Sequence, residues 1–244
     1  MNPPSILFFG DPHGDFTPVL RAVERHSPQA IVLLGDQQAR RPLHVELECV
    51  RDKTDLWFIH GNHDTDSDED YDHLWGSELS DRNMHGRVVE VAGLRIAGLG
   101  GVFREKVWNP ALPADQAPFQ SPDDLRARTL HRRQAREIWR GGFVRKHHSS
   151  IFPSDYERLL SLRADILITH EAPGAHPHGF AAIDDLAASL GARLLVHGHH
   201  HEDIDYAARG RGSAQPLVQI FGVNQGSWLA LESDGQAHLE RDMG

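Results

Sequence analysis

The sequence predicts an α/β fold, and three observations carry that prediction. Short apolar runs of strand length alternate with stretches of helical spacing along most of the chain. The first two runs are separated by an amphipathic stretch with apolar residues at helical spacing. Five of the runs also end in Asp, Asn or His. Ligands of open α/β sheets bind beyond the carboxyl ends of the strands, so this is where such residues belong.

The elements follow in order. Ile6–Phe9 reads as a strand that ends in Gly10 and Asp11. Phe16–His26 sets Phe16, Val19, Leu20 and Val23 at helical spacing. Ile31–Leu34 is a second strand, ending in Gly35 and Asp36, and Leu43–Val50 again reads as helix. Cys49 lies in that helix beside Val50 and is expected in the core rather than as a nucleophile. Leu56–Ile59 is a third strand and runs into His60, Gly61, Asn62, His63 and Asp64. Val88–Val91 and Leu94–Leu99 suit a hairpin around Gly93. Asp165–Thr169 is a strand ending at His170, Phe180–Leu190 a helix, and Arg193–Val196 a strand that enters a histidine-rich loop. Leu217–Val223 and Trp228–Glu232 close the chain as strands.

The chain has 244 residues, enough for one sizeable core, so residues 1–244 are expected to form one domain. With 39% hydrophobic and 25% charged residues, the composition excludes a collagen, a coiled coil or a disordered tail. Cys49 is the single cysteine, which excludes a disulfide scaffold and fits a reducing compartment. No apolar run approaches the roughly 20 residues of a spanning helix. The N-terminus lacks a basic leader region, so the expected location is the cytoplasm, with no membrane partner. The net charge of −10 argues against non-specific nucleic-acid binding.

Residues 103–150 break the alternation and read as an insertion or cap. A Pro-rich loop from Asn109 to Pro122 leads into a helix from Pro122 to Trp139, with Asp123 and Asp124 in its first turn. From Arg126 to His148 the charge is basic, with Glu137 the one acid against residues such as Arg132, Arg133, Arg136, Arg140 and Arg145. Two readings stand for this helix. Ala127, Leu130, Ala135, Ile138 and Trp139 form a buried stripe under a solvated arginine face, or the arginines draw an anionic substrate, nucleic acid included.

The strand-end residues are Asp11 with His13, Asp36, Asn62 with His63 and Asp64, His170, and His199 to His201. All are oxygen or imidazole donors, which suit Mn, Fe or Zn better than Cu(I) or a thiolate zinc site. They exceed the needs of one ion and would serve two ions about 3.5–4 Å apart.

The ordered set Asp-x-His, Gly-Asp, Gly-Asn-His-Asp, a lone His after a strand, and Gly-His-x-His resembles the signature of the calcineurin-like metallophosphoesterases. It runs from Asp11 to His201. The resemblance implies a four-layer αββα sandwich, here with a helical basic insertion. It implies a dinuclear centre, with one divalent ion on Asp11, His13, Asp36 and His201. The other would sit on Asp36, Asn62, His170 and His199. Mn²⁺ is the first expectation, with Fe or Zn as alternatives. By the same resemblance, a hydroxide bridging the two ions attacks the phosphorus of a mono- or diester in line. His63 serves the leaving oxygen, and Arg40 either binds the phosphate or is a plain surface arginine.

One position departs from the family pattern. Many members carry an acid just before that arginine, which orients the catalytic histidine, and here Ala39 stands there. Two readings stand: His63 lacks its usual orienting partner, or it finds another acid; Asp64 is adjacent in sequence but is free to point away. His197 and His200 are candidates for outer-shell groups. His147 and His148 are expected in a solvated loop, with substrate contact as the alternative, and His176 and His178 either rim the site or form a surface turn. The leading expectation is a hydrolase acting on a small phosphorylated substrate. A scaffold protein on the same fold is the second class, and a nuclease using the basic segment is a third. All seven ligand positions and His63 match, which ranks the scaffold well below.

Overall fold

A computed structural model describes residues 5–131, 139, 140, 142, 144–209 and 218–242. Along the chain the strands are β1 (Ile6–Phe9), β2 (Ala30–Leu33), β3 (Asp55–Phe58), β4 (Arg87–Val91), β5 (Leu94–Leu99), β6 (Ile166–Thr169), β7 (Leu194–His197), β8 (Ile204–Asp205), β9 (Gln219–Gly222), β10 (Ser227–Leu231) and β11 (Ala237–Arg241). The helices are α1 (Thr17–His26), α2 (Leu43–Glu46), α3 (Asp68–Trp75), α4 (Pro122–His131), α5 (Pro153–Leu160), α6 (Ala181–Leu190) and α7 (Tyr206–Arg209).

Buried backbone groups must find partners, and here the strands pair in two sheets. One runs β11-β10-β1-β2-β3 and the other β4-β5-β6-β7-β9-β8. β1, β2 and β3 are parallel, as are β5, β6, β7 and β9.

Alternation along each strand then makes four layers. Ile6, Phe8, Ala30 and Val32 face inward and meet Ile96, Ile166, Ile168 and Val196 of the second sheet. Leu7, Phe9, Ile31 and Leu33 face outward onto Val19 and Val23 of α1 and Leu43 of α2. Ala97, Leu99, Leu167 and Leu195 cover the far side, against Leu159 of α5 and Ile183, Leu186 and Leu190 of α6. Each fully buried Leu, Ile, Val or Phe contributes about 1.5–3 kcal/mol, so a strand buried on both faces must be apolar throughout. That accounts for the apolar runs of β1 and β2 and for Ile166–Ile168 and Leu194–Val196, after which buried Thr169 and His197 end β6 and β7. The expected αββα sandwich is the observed architecture.

Several sequence expectations need correction. The helix expected over Leu43–Val50 is α2 alone, and the chain continues as turn. Leu43, Leu47 and Val50 are buried at helical spacing, but Cys49 lies off that stripe and is exposed, not core. The helix expected from Pro122 to Trp139 is described only as α4, and Trp139 is not helical. Ala127 of the expected stripe is exposed, and Leu125 is the buried residue instead. Leu130's side chain, Ala135, Ile138, Arg132, Arg133 and Arg136 lie outside what is described, as does Leu217 of the expected strand 217–223. Two further helices carried start signals. Ser67 and Asp70 form a reciprocal capping box on α3, and Pro153 begins α5.

The architecture fixes where a site can form. The carboxyl ends of β1, β2 and β3 meet those of β6 and β7 at one rim of the sandwich.

Candidate metal centre

The loops at this rim have an uncommon backbone. Of the seven described non-glycine residues with positive φ, five lie here: His13 (44°), Asp36 (47°), Gln38 (39°), His199 (71°) and His201 (50°). Such conformations cost on the order of 1–3 kcal/mol each and gather at functional sites. Two glycines allow the loops to close in. A Cβ on Gly35 would meet the His170 ring, with Cε1 at 2.9 Å, and Gly35 also has φ +114°. A Cβ on Gly61 would lie 2.6 Å from His170 Cε1 and closer still to Asp36.

Three groups of donor atoms result, each with all members within 4.8 Å: Asp11, His13 and His201; Asp36, His170 and His199; and Glu171, His199 and His200. His201 Nε2 stands 3.4 Å from Asp11 Oδ2 and 2.9 Å from His13 Nε2. His170 Nε2 stands 3.3 Å from Asp36 Oδ2 and 3.1 Å from Asn62 Oδ1. Its Nδ1 donates to Leu34 O at 2.9 Å, which fixes the ring. Asp11, His13, Asp36, Asn62, His170, His199 and His201 therefore gather at one place. Glu171, directly after His170, is a further donor that the sequence reading missed.

Burial makes the charges consequential. Asp11, Asp36 and His170 are at most 1% exposed. Burial pushes the Asp11 carboxyl up to about 6, against the opposing pull of His170. Burial acts the same way on Asp36, but the His170 charge and hydrogen bond outweigh it and hold that carboxyl below its ordinary value. His170 is raised to about 10 by Asp36 and Asp11 despite its burial. Burial lowers His199 to about 3, leaving a neutral imidazole with a free lone pair. Asp11 Oδ1 is buried and accepts no hydrogen bond. Two carboxylates buried with an orphaned oxygen, ringed by imidazoles, complement a divalent cation.

The orienting acid that Ala39 lacks is found elsewhere. His63 Nδ1 lies 2.5 Å from Asp66 Oδ2. The segment His63–Thr65 is a 3₁₀ turn, whose three-residue period brings positions i and i+3 over one another. Burial lowers the His63 pKa, but the Asp66 bond and the Asp36 charge leave it raised above its ordinary value. The His63 backbone N–H donates to Asp36 Oδ1 at 2.7 Å. Asp64 turns away and accepts from the N–H groups of Gly61 and Gln38 at 2.8 and 3.0 Å. It joins the β2 and β3 loops rather than serving His63. Gln38 in turn accepts from His13 Nδ1 at 2.6 Å and sets that ring's orientation.

The remaining candidates separate clearly. Arg40 is exposed on the turn beside Gly14. His197 is buried, with its ring nitrogens against Gly198 O and Tyr206 Oη at 2.9 Å. His176 is buried and stacks on His200 at 4.0 Å, so it is no surface residue, whereas His178 is exposed. His147 and His148 do not lie in a solvated loop. They sit on a 3₁₀ helix, Arg145–Ser149, where His147 is buried and His148 packs against Tyr71. A cavity of about 580 Å³, lined by Ser5, Asp165 and Arg193 among others, opens at the opposite strand ends and contains none of these residues.

Comparison with known proteins agrees with this geometry. A family model described as calcineurin-like phosphoesterase matches residues 4–203. An uncharacterized protein of Haemophilus influenzae is 44% identical over 207 residues, spanning 84% of this chain and 86% of the relative. The crystal structure of TT1561 of Thermus thermophilus superposes with a TM-score of 0.58 at 16% identity, covering 97% of each chain, and so shares the fold.

Proposed function

We propose, because the chain belongs to the calcineurin-like phosphoesterase family, that it hydrolyses a phosphate mono- or diester using two divalent ions, Mn²⁺ first among them. One ion is assigned to Asp11, His13, Asp36 and His201, and the other to Asp36, Asn62, His170 and His199. The observation that carries this reading is the convergence of two donor groups at one rim, where His170 reaches both, its Nδ1 3.6 Å from Asp11 Oδ1 and its Nε2 3.3 Å from Asp36 Oδ2. When bound, such ions neutralise charge on the phosphoryl oxygens and acidify a water for in-line attack. Asp11 and Asp36 supply the negative charge that holds them. Leu34 O, by accepting from His170 Nδ1, holds that ring with its Nε2 towards Asp36 and Asn62, where it would join them on the ion. Gln38 orients His13. His63, with Asp66 on Nδ1, keeps its Nε2 for the oxygen of the leaving group and passes it a proton.

A small phosphorylated substrate in the cytoplasm is the reading's natural form, and no helix among the described residues is long and apolar enough to cross a membrane. The chain is then one domain with residues 103–150 as a cap, and Arg40 contacts phosphate from the rim. The nuclease reading has less support. Arg126, Arg128, Arg140 and Arg145 pair with Asp123, Asp124, Asp72 and Asp68, which offsets much of the described basic charge. The test is a matched pair of rates on an aryl monoester and a bis-aryl diester, with protein stripped of metal and reloaded with Mn²⁺. Turnover of either ester that collapses in His63→Ala supports the reading, and turnover indifferent to His63 contradicts it.

A further inference from the structure

Asp66 holds His63, but Asp66 sits on a turn too short to hold itself. His63–Thr65 spans three residues and the Asp66 carboxylate is about half exposed. Short 3₁₀ segments have poor internal hydrogen-bond geometry, so they need outside partners. One side chain supplies three. Arg145 donates from Nε to Thr65 O at 3.0 Å, from one terminal nitrogen to Asp66 O, and from the other to the Asp68 carboxylate. The guanidinium is planar with fixed donors, so it sets the relative positions of these acceptors in a way an ammonium cannot. A second tie lies alongside, where Thr65 Oγ1 meets Ser149 Oγ at 2.7 Å. Both ties come from the 3₁₀ helix Arg145–Ser149, within the stretch that interrupts the sheet pattern.

We propose that Arg145 is a positioning residue for His63: by gripping the carbonyls of Thr65 and Asp66 it sets the Asp66 carboxylate on His63 Nδ1, so the inserted segment governs protonation of the leaving group. The proposal rests on the phosphoesterase reading for its catalytic consequence, but its structural half is independent of turnover. The proton given by His63 goes to the oxygen released as the P–O bond breaks. That donation matters most when the leaving alcohol is a poor one, and least for 4-nitrophenolate.

The experiment uses the full chain, metal-loaded, as wild type, Arg145→Ala, Arg145→Lys and Asp66→Asn. Two readouts are taken. The first is kcat on a phenyl and a 4-nitrophenyl ester of the same phosphate class. The expected result is a loss of about 10–100-fold on the phenyl ester, the scale for losing a group that orients another, with a far smaller loss on the 4-nitrophenyl ester, in all three variants. Added guanidinium should restore part of the loss in Arg145→Ala only. Equal losses on both esters, or none, overturn the proposal. The second readout is the ¹⁵N shift of the His63 ring in Zn²⁺-loaded protein. Loss of the hydrogen-bonded Nδ1–H signature in Arg145→Ala supports the positioning role, and an unchanged signature overturns it whatever the turnover. A changed signature in a protein that cleaves neither ester rejects the phosphoesterase reading and leaves the positioning role standing.

Discussion

Replacing Gly61 by alanine adds one methyl group at the point where the β3 loop passes the β2 loop. Its Cβ would stand 2.6 Å from His170 Cε1 and still nearer the Oδ1 and N atoms of Asp36, where ordinary contact begins at 3.4 Å. The intrusion on His170 is thus 0.8 Å or so, and none of the three neighbours can yield freely. Asp36 N is backbone, Asp36 Oδ1 accepts from His63 N, and the His170 ring is pinned to Leu34 O. Overpacking of this kind costs about 1–3 kcal/mol. In a chain of this size each kcal/mol lowers Tm by roughly 2–4 °C. Asp36 and His170 are both assigned as ligands, so their displacement should weaken Mn²⁺ binding by about 10–100-fold, the scale seen when support for a ligand is lost. Calorimetric melting and Mn²⁺ titration measure the two effects. Gly93→Ala is the control, because φ there is +80° but nothing lies within 4 Å. It should cost on the order of 1–2 kcal/mol of left-handed strain and leave metal binding unchanged. Wild-type Mn²⁺ affinity in Gly61→Ala would refute the assignment of Asp36 and His170 as ligands.

Two further outcomes are expected. Asp155 is buried, accepts from Phe152 N at 3.0 Å and lies 3.3 Å from His85 Nε2. Burial raises its pKa, but the charge and hydrogen bond of His85 hold it below the ordinary 3.8. Its folded pKa is therefore below the unfolded one. The contribution is complete above about pH 4 and is lost as pH falls through the folded value. Asp155→Asn should cost about 1–3 kcal/mol in urea unfolding at pH 6 and less at pH 3, whereas an equal gap at both contradicts this. Cys49 is exposed and is not among the assigned ligands, so a thiol reagent should titrate it in the native protein without loss of ester turnover. Reaction only after denaturation would place it in the core instead.

Much of the fold was legible because both faces of the central strands are buried. β1, β2, Ile166–Ile168 and Leu194–Val196 read as apolar runs for that reason, and their ends located the ligands. What failed depended on phase or on distant packing. Cys49 lies one position off the Leu43, Leu47, Val50 stripe, and reading the segment as one long helix hid that. His147 was read from the charges beside it, while on the Arg145–Ser149 helix it is buried with Nδ1 3.0 Å from Ser150 Oγ. The site was legible as a list of ligands but not as a network. Asp64 was open to pointing away and does so; that Asp66 serves His63 instead follows from the 3₁₀ period of the turn, which the sequence did not reveal. Glu171 was passed over because no strand-end pattern marks the residue after His170.

The central claim is that one rim holds two divalent ions with Asp36 between them. Metal content per chain, measured after equilibration with Mn²⁺ and removal of free ion, tests it most directly, on wild type and Asp36→Asn. The account predicts two ions per wild-type chain and at most one in the variant, with the fold retained by circular dichroism. Fewer than two ions in the wild type, or the same content in both proteins, would contradict it.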